Sequence, residues 1–240
     1  MKDIFVSVII PAYNEAKRLP DTLNQVESFL SQQEYSAEVL VVENGSQDCT
    51  YTIAEEFSLS HPRFRAIHEE QRGKGLAVRR GMLEARGQYR FMCDADLSMP
   101  IAELNRFLPP ALVNFDVAIA SREAPGAIRY NEPAYRHFGG RFVNLIIRLL
   151  ALPGLHDTQC GFKCFRAAVA EDLYRRQRMP GFSFDVEVLY LARKRGYQLV
   201  EIPVPWYYSS DSKVKAIQDT IRMTQDILEI RRNWRLGLYE

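Results

Sequence analysis

Cysteine is scarce in this 240-residue chain, and the four present, Cys49, Cys93, Cys160 and Cys164, include no Cys-x-x-Cys pair. That spacing excludes a zinc site of the usual kind, and so few thiols exclude a disulfide scaffold; reduced cysteines in a cytosolic compartment are expected. Excess charge of one sign is missing too. The chain carries 31 basic and 30 acidic side chains, a net charge of +1, so no global field points to nucleic acid as a partner. Long apolar runs are absent. The most hydrophobic helical stretch, Phe142 to Leu152, is interrupted by Asn144 and Arg148 and closed by Pro153, short of the roughly 20 residues that a membrane span requires. The start, Met1-Lys2-Asp3-Ile4-Phe5-Val6, enters a strand-like run directly, so no export signal is expected. Internal repeats and low-complexity tracts are lacking as well. With 47% hydrophobic and 25% charged residues, the composition is that of a soluble globular protein, one large domain or one domain with an appendage.

What is present centres on Tyr89-Arg90-Phe91-Met92-Cys93-Asp94-Ala95-Asp96, an apolar run with the character of a buried strand that ends in two carboxylates. If the chain stays extended through Ala95, Asp94 and Asp96 point the same way. Like charges so placed repel, and a hard divalent cation held against a diphosphate relieves them. A lone Asp-x-Asp also matches solvated acidic turns by chance, so context decides.

The context is an alternation of strands and helices. Phe5 to Ile10, closed by Pro11, predicts a first central strand; Leu19, Leu23, Val26 and Leu30 recur at helical spacing; Glu38 to Val42 predicts a second buried strand. This is a β-α-β unit with parallel pairing. The turn Glu43 to Asp48 follows, in which Gly45 can supply a positive φ and Ser46 or Asp48 can cap a helix carrying Ile53, Ala54 and Phe57. Arg65 to His68 predicts a third strand, and Arg72-Gly73-Lys74-Gly75 opens a helix to about Arg86. A dinucleotide fingerprint would need glycine where Val78 stands, and no Gly-Lys-Ser/Thr appears, so neither a dehydrogenase nor a P-loop enzyme is supported. After the acidic pair, Leu104, Phe107, Leu108 and Leu112 suggest a helix, and Asp116 to Ala120 a fifth strand delivering Ser121-Arg122 to the same edge.

Beyond it the alternation breaks. Ala124 to Pro133 reads as a loop, and a helix carries Phe138, Phe142, Leu145, Ile146 and Leu149 to Pro153. His156 to Phe165 is a polar turn entering a strand, Pro180 to Glu187 opens a helix, and Gln198 to Val204 predicts an edge strand because of Pro203. A last helix begins near Ser212. Ile217, Ile221, Ile227, Leu228, Ile230 and Trp234 are expected on one face of it, and Lys215, Asp219, Arg222, Asp226 and Glu229 on another.

Five segments thus converge on one sheet edge: Pro11 to Glu15, Glu43 to Asp48, Lys74, Asp94 to Asp96, and Arg122. Their order resembles the family 2 glycosyltransferases of GT-A fold. Asp157-Thr158-Gln159-Cys160-Gly161-Phe162-Lys163, Phe184-Asp185-Val186-Glu187 and Ser209 to Lys213 look like the dolichyl-phosphate β-glucosyltransferase and polyprenyl-phosphate branch, related to dolichol-phosphate mannose synthase. The resemblance implies an α/β, Rossmann-like fold with a mostly parallel sheet flanked by helices. It also implies one GT-A domain over residues 1–210 and an amphipathic helix over 211–240, packed on the domain or at a membrane surface. By the same resemblance Pro11, Tyr13, Glu15, Glu43, Lys74, Asp94, Ala95 and Asp96 would bind the nucleotide sugar. Asp94 and Asp96 would hold Mg²⁺ or Mn²⁺, and Arg122 and Arg136 would meet an acceptor phosphate, which a guanidinium pairs bidentately.

The implied reaction is inverting and metal-dependent. It moves a hexose, glucose from UDP-glucose, onto a polyprenyl or dolichyl phosphate, with Asp157, Arg122 and Asp96 at the reacting centre. Asp185 is the alternative acidic residue there, and either aspartate could instead orient an arginine or the donor sugar's hydroxyls. Alternatives are a soluble or polysaccharide acceptor, GDP-mannose as donor, or a nucleotide-sugar binding module without catalysis. Eukaryotic members of the branch carry an N-terminal membrane anchor. None is visible here, so Arg231, Arg232 and Arg235 around Trp234 are the expected peripheral contact with the cytoplasmic face of a membrane.

Overall fold

The computed structural model describes residues 3–133, 144–208 and 216–240. Strands β1 (Val6–Ala12) and β2 (Ala37–Asn44) form where β-branched and aliphatic residues run nearly unbroken, the pattern of strands covered on both faces. Helix α1 (Leu19–Ser31) joins them, with a proline in its first turn and Leu19, Leu23, Val26 and Leu30 buried along one side. Helix α2 (Thr50–Ser60) leads to β3 (Phe64–Glu69), and helix α3 (Lys74–Glu84) to β4 (Tyr89–Cys93). A 3₁₀ helix, Ile101–Phe107, precedes β5 (Val117–Ser121) and a short β6 (Ile128–Tyr130). Helical residues 144–150 follow. Then come β7 (Phe162–Arg166), helices α4 (Ala167–Arg176) and α5 (Phe184–Lys194), strands β8 (Leu199–Pro203) and β9 (Pro205–Tyr207), and helix α6 (Ala216–Arg235).

Seven strands make the main sheet, in the order β3-β2-β1-β4-β7-β5-β8. All neighbours pair in parallel except β7, which runs antiparallel to both β4 and β5. Side-chain alternation splits the core into two layers. Ile9, Leu40, Met92, Ile119 and Phe165 pack with Val78, Met82, Leu173, Val188 and Ile227 of the helices on one face. Val8, Ile10, Val39, Val41, Phe91 and Phe162 pack with Leu23, Val26, Leu104 and Phe107 on the other. Each fully buried aliphatic side chain contributes roughly 1.5–3 kcal/mol. Strands β6 and β9 form a separate two-stranded parallel sheet.

Several expectations change. The segment from Ala124 to Pro133 is not all loop, since β6 lies within it. The helix expected around Leu104 to Leu112 is only the 3₁₀ turn ending at Phe107; Pro109 and Pro110 cannot donate the amide hydrogens a longer helix would need. Helix α4, whose Val169, Ala170, Leu173 and Tyr174 are buried, was not anticipated. Strand β8 lies at the sheet edge and ends at Pro203, as the proline predicts. On α6, Met223, Ile227 and Ile230 are buried, but Ile221 and Leu228 are exposed, so the apolar residues do not share one face. Asp226, expected on the polar face, accepts from Ser183 Oγ at 2.6 Å, and Trp234 packs edge-on to Tyr190. The start of that helix near Ser212 lies outside the described residues, as do Arg136 and the stretch Ser209 to Lys213. Among the described residues no helix is long and apolar enough to cross a membrane.

Candidate active site

Strands β1, β2, β4 and β5 point the same way, so their carboxyl ends share one edge, where open α/β sheets bind ligands. The reversed β7 begins at that edge and brings the loop before it, Asp157 to Gly161, to the same place.

At one end of the edge two loops are stitched together. Asn14 N donates to Ser46 Oγ (3.0 Å), Gln47 N to Asn14 Oδ1 (2.8 Å), Glu15 N to Thr50 Oγ1 (2.8 Å) and Ala16 N to Asp48 Oδ2 (3.2 Å). Asp48 also takes the Thr50 amide at the start of α2 (3.0 Å), and Gly45 has φ of 70°, as its place in the turn predicts. Pro11 pairs in register with Val42. The Arg72 guanidinium lies over the Tyr13 ring, 4.4 Å from its centroid, a cation–π contact. The Glu15 carboxylate holds Arg18 at 2.7 Å. Glu43 is buried, and its oxygens meet the Ser46 amide and His68 Nδ1 (2.6 Å); it braces the turn under this loop.

The centre of the edge is acidic and compensated. Lys74 Nζ lies 2.7 Å from Asp94 Oδ1. Burial works against the Lys74 charge, but Asp94 and then Asp185 outweigh it and hold its pKa above the usual value. The chain does not stay extended through Ala95. Leu97 N donates back to Asp94 O (3.2 Å), Leu97 takes φ of 45°, and the carbonyl of the buried Ala95 accepts from Thr22 Oγ1 (2.6 Å), so Asp94 to Leu97 is a turn anchored on α1. Asp96 is exposed and its Oδ1 takes the Ser98 amide (3.0 Å). Asp94 N donates to Gly161 O (3.0 Å), and a Cβ at Gly161 would stand 1.8 Å from Asp94 Oδ2. Only glycine lets the carboxylate lie there.

Asp185, buried at the start of α5, pairs with Lys163 Nζ at 2.6 Å, and Lys163 also donates to the Cys160 carbonyl (2.6 Å). Burial raises the Asp185 pKa against the pull of Lys163 and Lys74. The glycines around Lys74 serve packing. A Cβ at Gly75 would meet Met179 O at 2.5 Å, and the Gly75 amide donates to Pro180 O (2.9 Å).

At the other end stands Arg122. Its Nε and Nη2 donate to Asp157 Oδ2 (2.6 Å) and Oδ1 (3.0 Å), and its backbone amide donates to Oδ2 (3.1 Å). Asp157 is fully buried and takes a further amide from Gln159 (3.2 Å). Burial favours protonation of Asp157, but Arg122 outweighs it and the pKa falls below the usual carboxylate value. The Trp206 ring of β9 meets both Arg122 and Arg129, with guanidinium-to-centroid distances of 5.5 and 5.6 Å. Tyr207 N donates to Ser98 O (2.7 Å), tying β9 to the acidic turn.

The structure therefore brings Lys74 to Asp94 and Arg122 to Asp157, while Asp185 goes to Lys163. Sequence reasoning missed Lys163, Trp206, Arg129 and Glu201. Lys163 left a signal: it shares a strand face with the core residue Phe165, two positions on. A buried lysine needs a buried carboxylate. As metal ligands, Asp94 and Asp96 would supply two hard oxygen donors, and no group of three or more His, Cys, Asp or Glu able to hold a metal occurs among the described residues. That donor set suits a cation such as Mg²⁺, which keeps most of its coordination sphere for water and phosphate oxygens.

The family model described as Glycosyl transferase family 2 matches residues 7–174. A dolichyl-phosphate β-glucosyltransferase of Trichomonas vaginalis is 32% identical over 249 aligned positions, covering 99% of this chain and 74% of that protein. The protein of the same name in Saccharomyces cerevisiae is 33% identical over 267 positions, covering 99% and 77%. Among solved structures, glucosyl-3-phosphoglycerate synthase of Mycobacterium tuberculosis in complex with Mn²⁺, uridine diphosphate and phosphoglyceric acid superposes with a TM-score of 0.67 at 14% identity, covering 98% of this chain and 78% of that one. At that identity the likeness concerns the fold.

Proposed function

This chain belongs to glycosyl transferase family 2, and from that membership we propose that it transfers glucose from UDP-glucose, with inversion, to a polyprenyl or dolichyl phosphate. The observation that carries the reading is the placement of two separate ion-paired systems on one sheet edge: the acidic turn with Lys74, and Arg122 clamped by Asp157. The first suits a diphosphate donor, the second an anionic acceptor.

On the donor side, Tyr13 would offer a ring to the base or ribose, Pro11 and Glu15 would shape the loop around it, Asp94 would offer acceptors to ribose hydroxyls, and the buried Glu43, already engaged with Ser46 and His68, would hold the turn beneath the base. Asp94 and Asp96 would hold Mg²⁺ or Mn²⁺. When bound, the ion would offset negative charge growing on the leaving diphosphate. Lys74 would add its own charge at the same place, once its present partner Asp94 turns to the ion.

On the acceptor side, Arg122 would face the phosphate, with Arg136 from the segment outside the described residues as its companion. A phosphate monoester is largely ionised near neutral pH, so it needs no base to attack the anomeric carbon. A phosphate oxygen bonds to that carbon while the bond to the nucleoside diphosphate breaks on the opposite face. Asp157 is poorly suited to take a proton, because its pKa is lowered and both of its oxygens already accept hydrogen bonds, from Arg122 and from Gln159; its part is to hold Arg122.

Residues 1–210 are read as the catalytic domain; the helix that follows packs on it through Met223, Ile227 and Ile230, and its outer side would make a peripheral contact to the cytoplasmic face of a membrane. Exposed Ile221, Leu228, Arg232 and Arg235 of α6 support that contact. A donor screen tests the whole reading: radiolabelled nucleotide sugars, a polyprenyl phosphate in detergent, and a count of label in the organic extract. UDP-glucose should label the lipid in the presence of Mg²⁺ or Mn²⁺ and not in chelator. Label appearing only in water-soluble product, or in lipid from GDP-mannose alone, would replace this reading with one of the alternatives.

A further inference from the structure

Glu201 lies in the middle of the edge strand β8, opposite Ile119 of β5. Its carboxylate is nonetheless fully engaged by one loop. His156 N donates to both oxygens at 2.9 Å, Asp157 N to Oε1 at 3.0 Å, and His156 Nδ1 lies 2.8 Å from Oε2. Two carboxylates therefore act in series. Glu201 fixes the backbone from which Asp157 projects, and Asp157 fixes the guanidinium and the amide of Arg122. Both links are made of charge-assisted hydrogen bonds, the strong kind, and the Glu201 side chain is only 11% exposed, where such bonds hold their geometry. A loop held by its amides cannot shift without turning Asp157 out of the plane that meets Arg122.

We propose that Glu201 is the positioning residue for the Asp157–Arg122 pair, setting the direction in which Arg122 presents its free edge. The consequence for catalysis rests on the reading that Arg122 faces the acceptor phosphate; the positioning itself does not. Glu201→Gln keeps one acceptor oxygen but turns an NH₂ donor toward the amides of His156 and Asp157, so donors face donors.

Two measurements on the intact protein test this, both below the unfolding transition of every variant. The first is modification of Arg122 by phenylglyoxal, followed by mass spectrometry. In Glu201→Gln, Arg122 should react roughly tenfold faster than in the wild type, the order expected from losing one charge-assisted hydrogen bond. An unchanged Arg122 rate, with the protein folded, overturns the proposal. The second is a double-mutant cycle between Glu201→Gln and Arg122→Lys, read in KM for acceptor and for donor separately. Each single change should raise acceptor KM roughly tenfold, leave donor KM within about twofold, and combine less than additively. Additive effects, or equal effects on both KM values, overturn it, because a general loss of stability has no reason to discriminate between substrates. If Arg122→Lys leaves acceptor KM untouched while phenylglyoxal reactivity still rises in Glu201→Gln, positioning stands and the acceptor assignment of Arg122 falls.

Discussion

At the scale of single residues, the site consists of charges that already have partners. Asp157→Asn should lower kcat at every pH, by roughly 10- to 100-fold, without removing a limb from the pH profile, since the carboxylate holds an arginine and moves no proton. Loss of one titrating limb would instead identify Asp157 as a base. The same change leaves a largely buried guanidinium without its counter-ion, which costs on the order of 3–5 kcal/mol. Because the folded pKa of Asp157 is lowered, its contribution is complete above the ordinary carboxylate value and is lost as pH falls through the folded one. The stability gap between wild type and Asn should therefore close in acid. Lys74 is partnered by the carboxylate that a metal would claim. Lys74→Met should accordingly bind Mn²⁺ more tightly than the wild type when nucleotide is absent, and bind UDP more weakly; titration calorimetry reads both, and equal Mn²⁺ affinities would mean that Lys74 does not compete for Asp94. Asp94 and Arg122 were legible in the sequence, because charges that follow an apolar strand must sit at its end; Asp157, which precedes a strand, came only with the family resemblance. Glu201 was not: a carboxylate inside an edge strand looks like a solvated side chain until the loop it captures is known.

At the scale of elements, backbone geometry decides what each charge can reach. The turn from Asp94 to Leu97 replaces the extended path that strand periodicity suggested, because Thr22 of α1 captures the Ala95 carbonyl; no local pattern announces a contact between residues so far apart. Gly161 gives that turn its test. A methyl there would strike the carboxylate group of Asp94, its Cγ and both oxygens, at the free end of a side chain that can turn away, so Gly161→Ala should fold with a Tm within a few degrees of the wild type yet show sharply weaker Mn²⁺-dependent UDP binding. A large drop in Tm with unchanged UDP binding would mean that the carboxylate does not need the space. Helix α1 was readable from its apolar spacing, and α2, α3 and α5 from the turn residues that open them. Helix α4 was not, because the four arginine and acidic residues in its short span, Glu171, Asp172, Arg175 and Arg176, dilute the pattern of its buried side.

At the scale of the whole molecule, the carboxyl end of the chain is built into the core. Tyr239 is 2% exposed and donates its hydroxyl to Glu187 Oε1 (2.6 Å), while Arg178 donates to the Leu238 carbonyl (3.1 and 2.8 Å). Glu187 also accepts the amides of Arg178 and Met179, in the segment that presses on Gly75 and so on the base of Lys74. Burial raises the Glu187 pKa beyond what Tyr239 and the amides offset. A raised folded value means that stability is lost as pH climbs from the ordinary glutamate value through the folded one. Over that window the Tm of Glu187→Gln should gain on that of the wild type, and a constant difference would show that Glu187 is not strained by its charge. The parallel strands and their shared edge followed from alternating apolar segments. The reversal of β7 did not, since five residues of apolar alternation carry no direction.

That reversal fixes a length. One strand separates β4, which ends at the acidic turn, from β5, which ends at Arg122, and two hydrogen-bonded steps of about 4.8 Å set the gap near 10 Å. The strand acts as a gauge block: the distance between the acidic turn and Arg122 is written in peptide groups, and no side-chain substitution can retune it. Accommodation of a larger sugar or a bulkier acceptor therefore falls to the loops at residues 122–133 and 156–161, which can lengthen or turn while the gap beneath them stays the same.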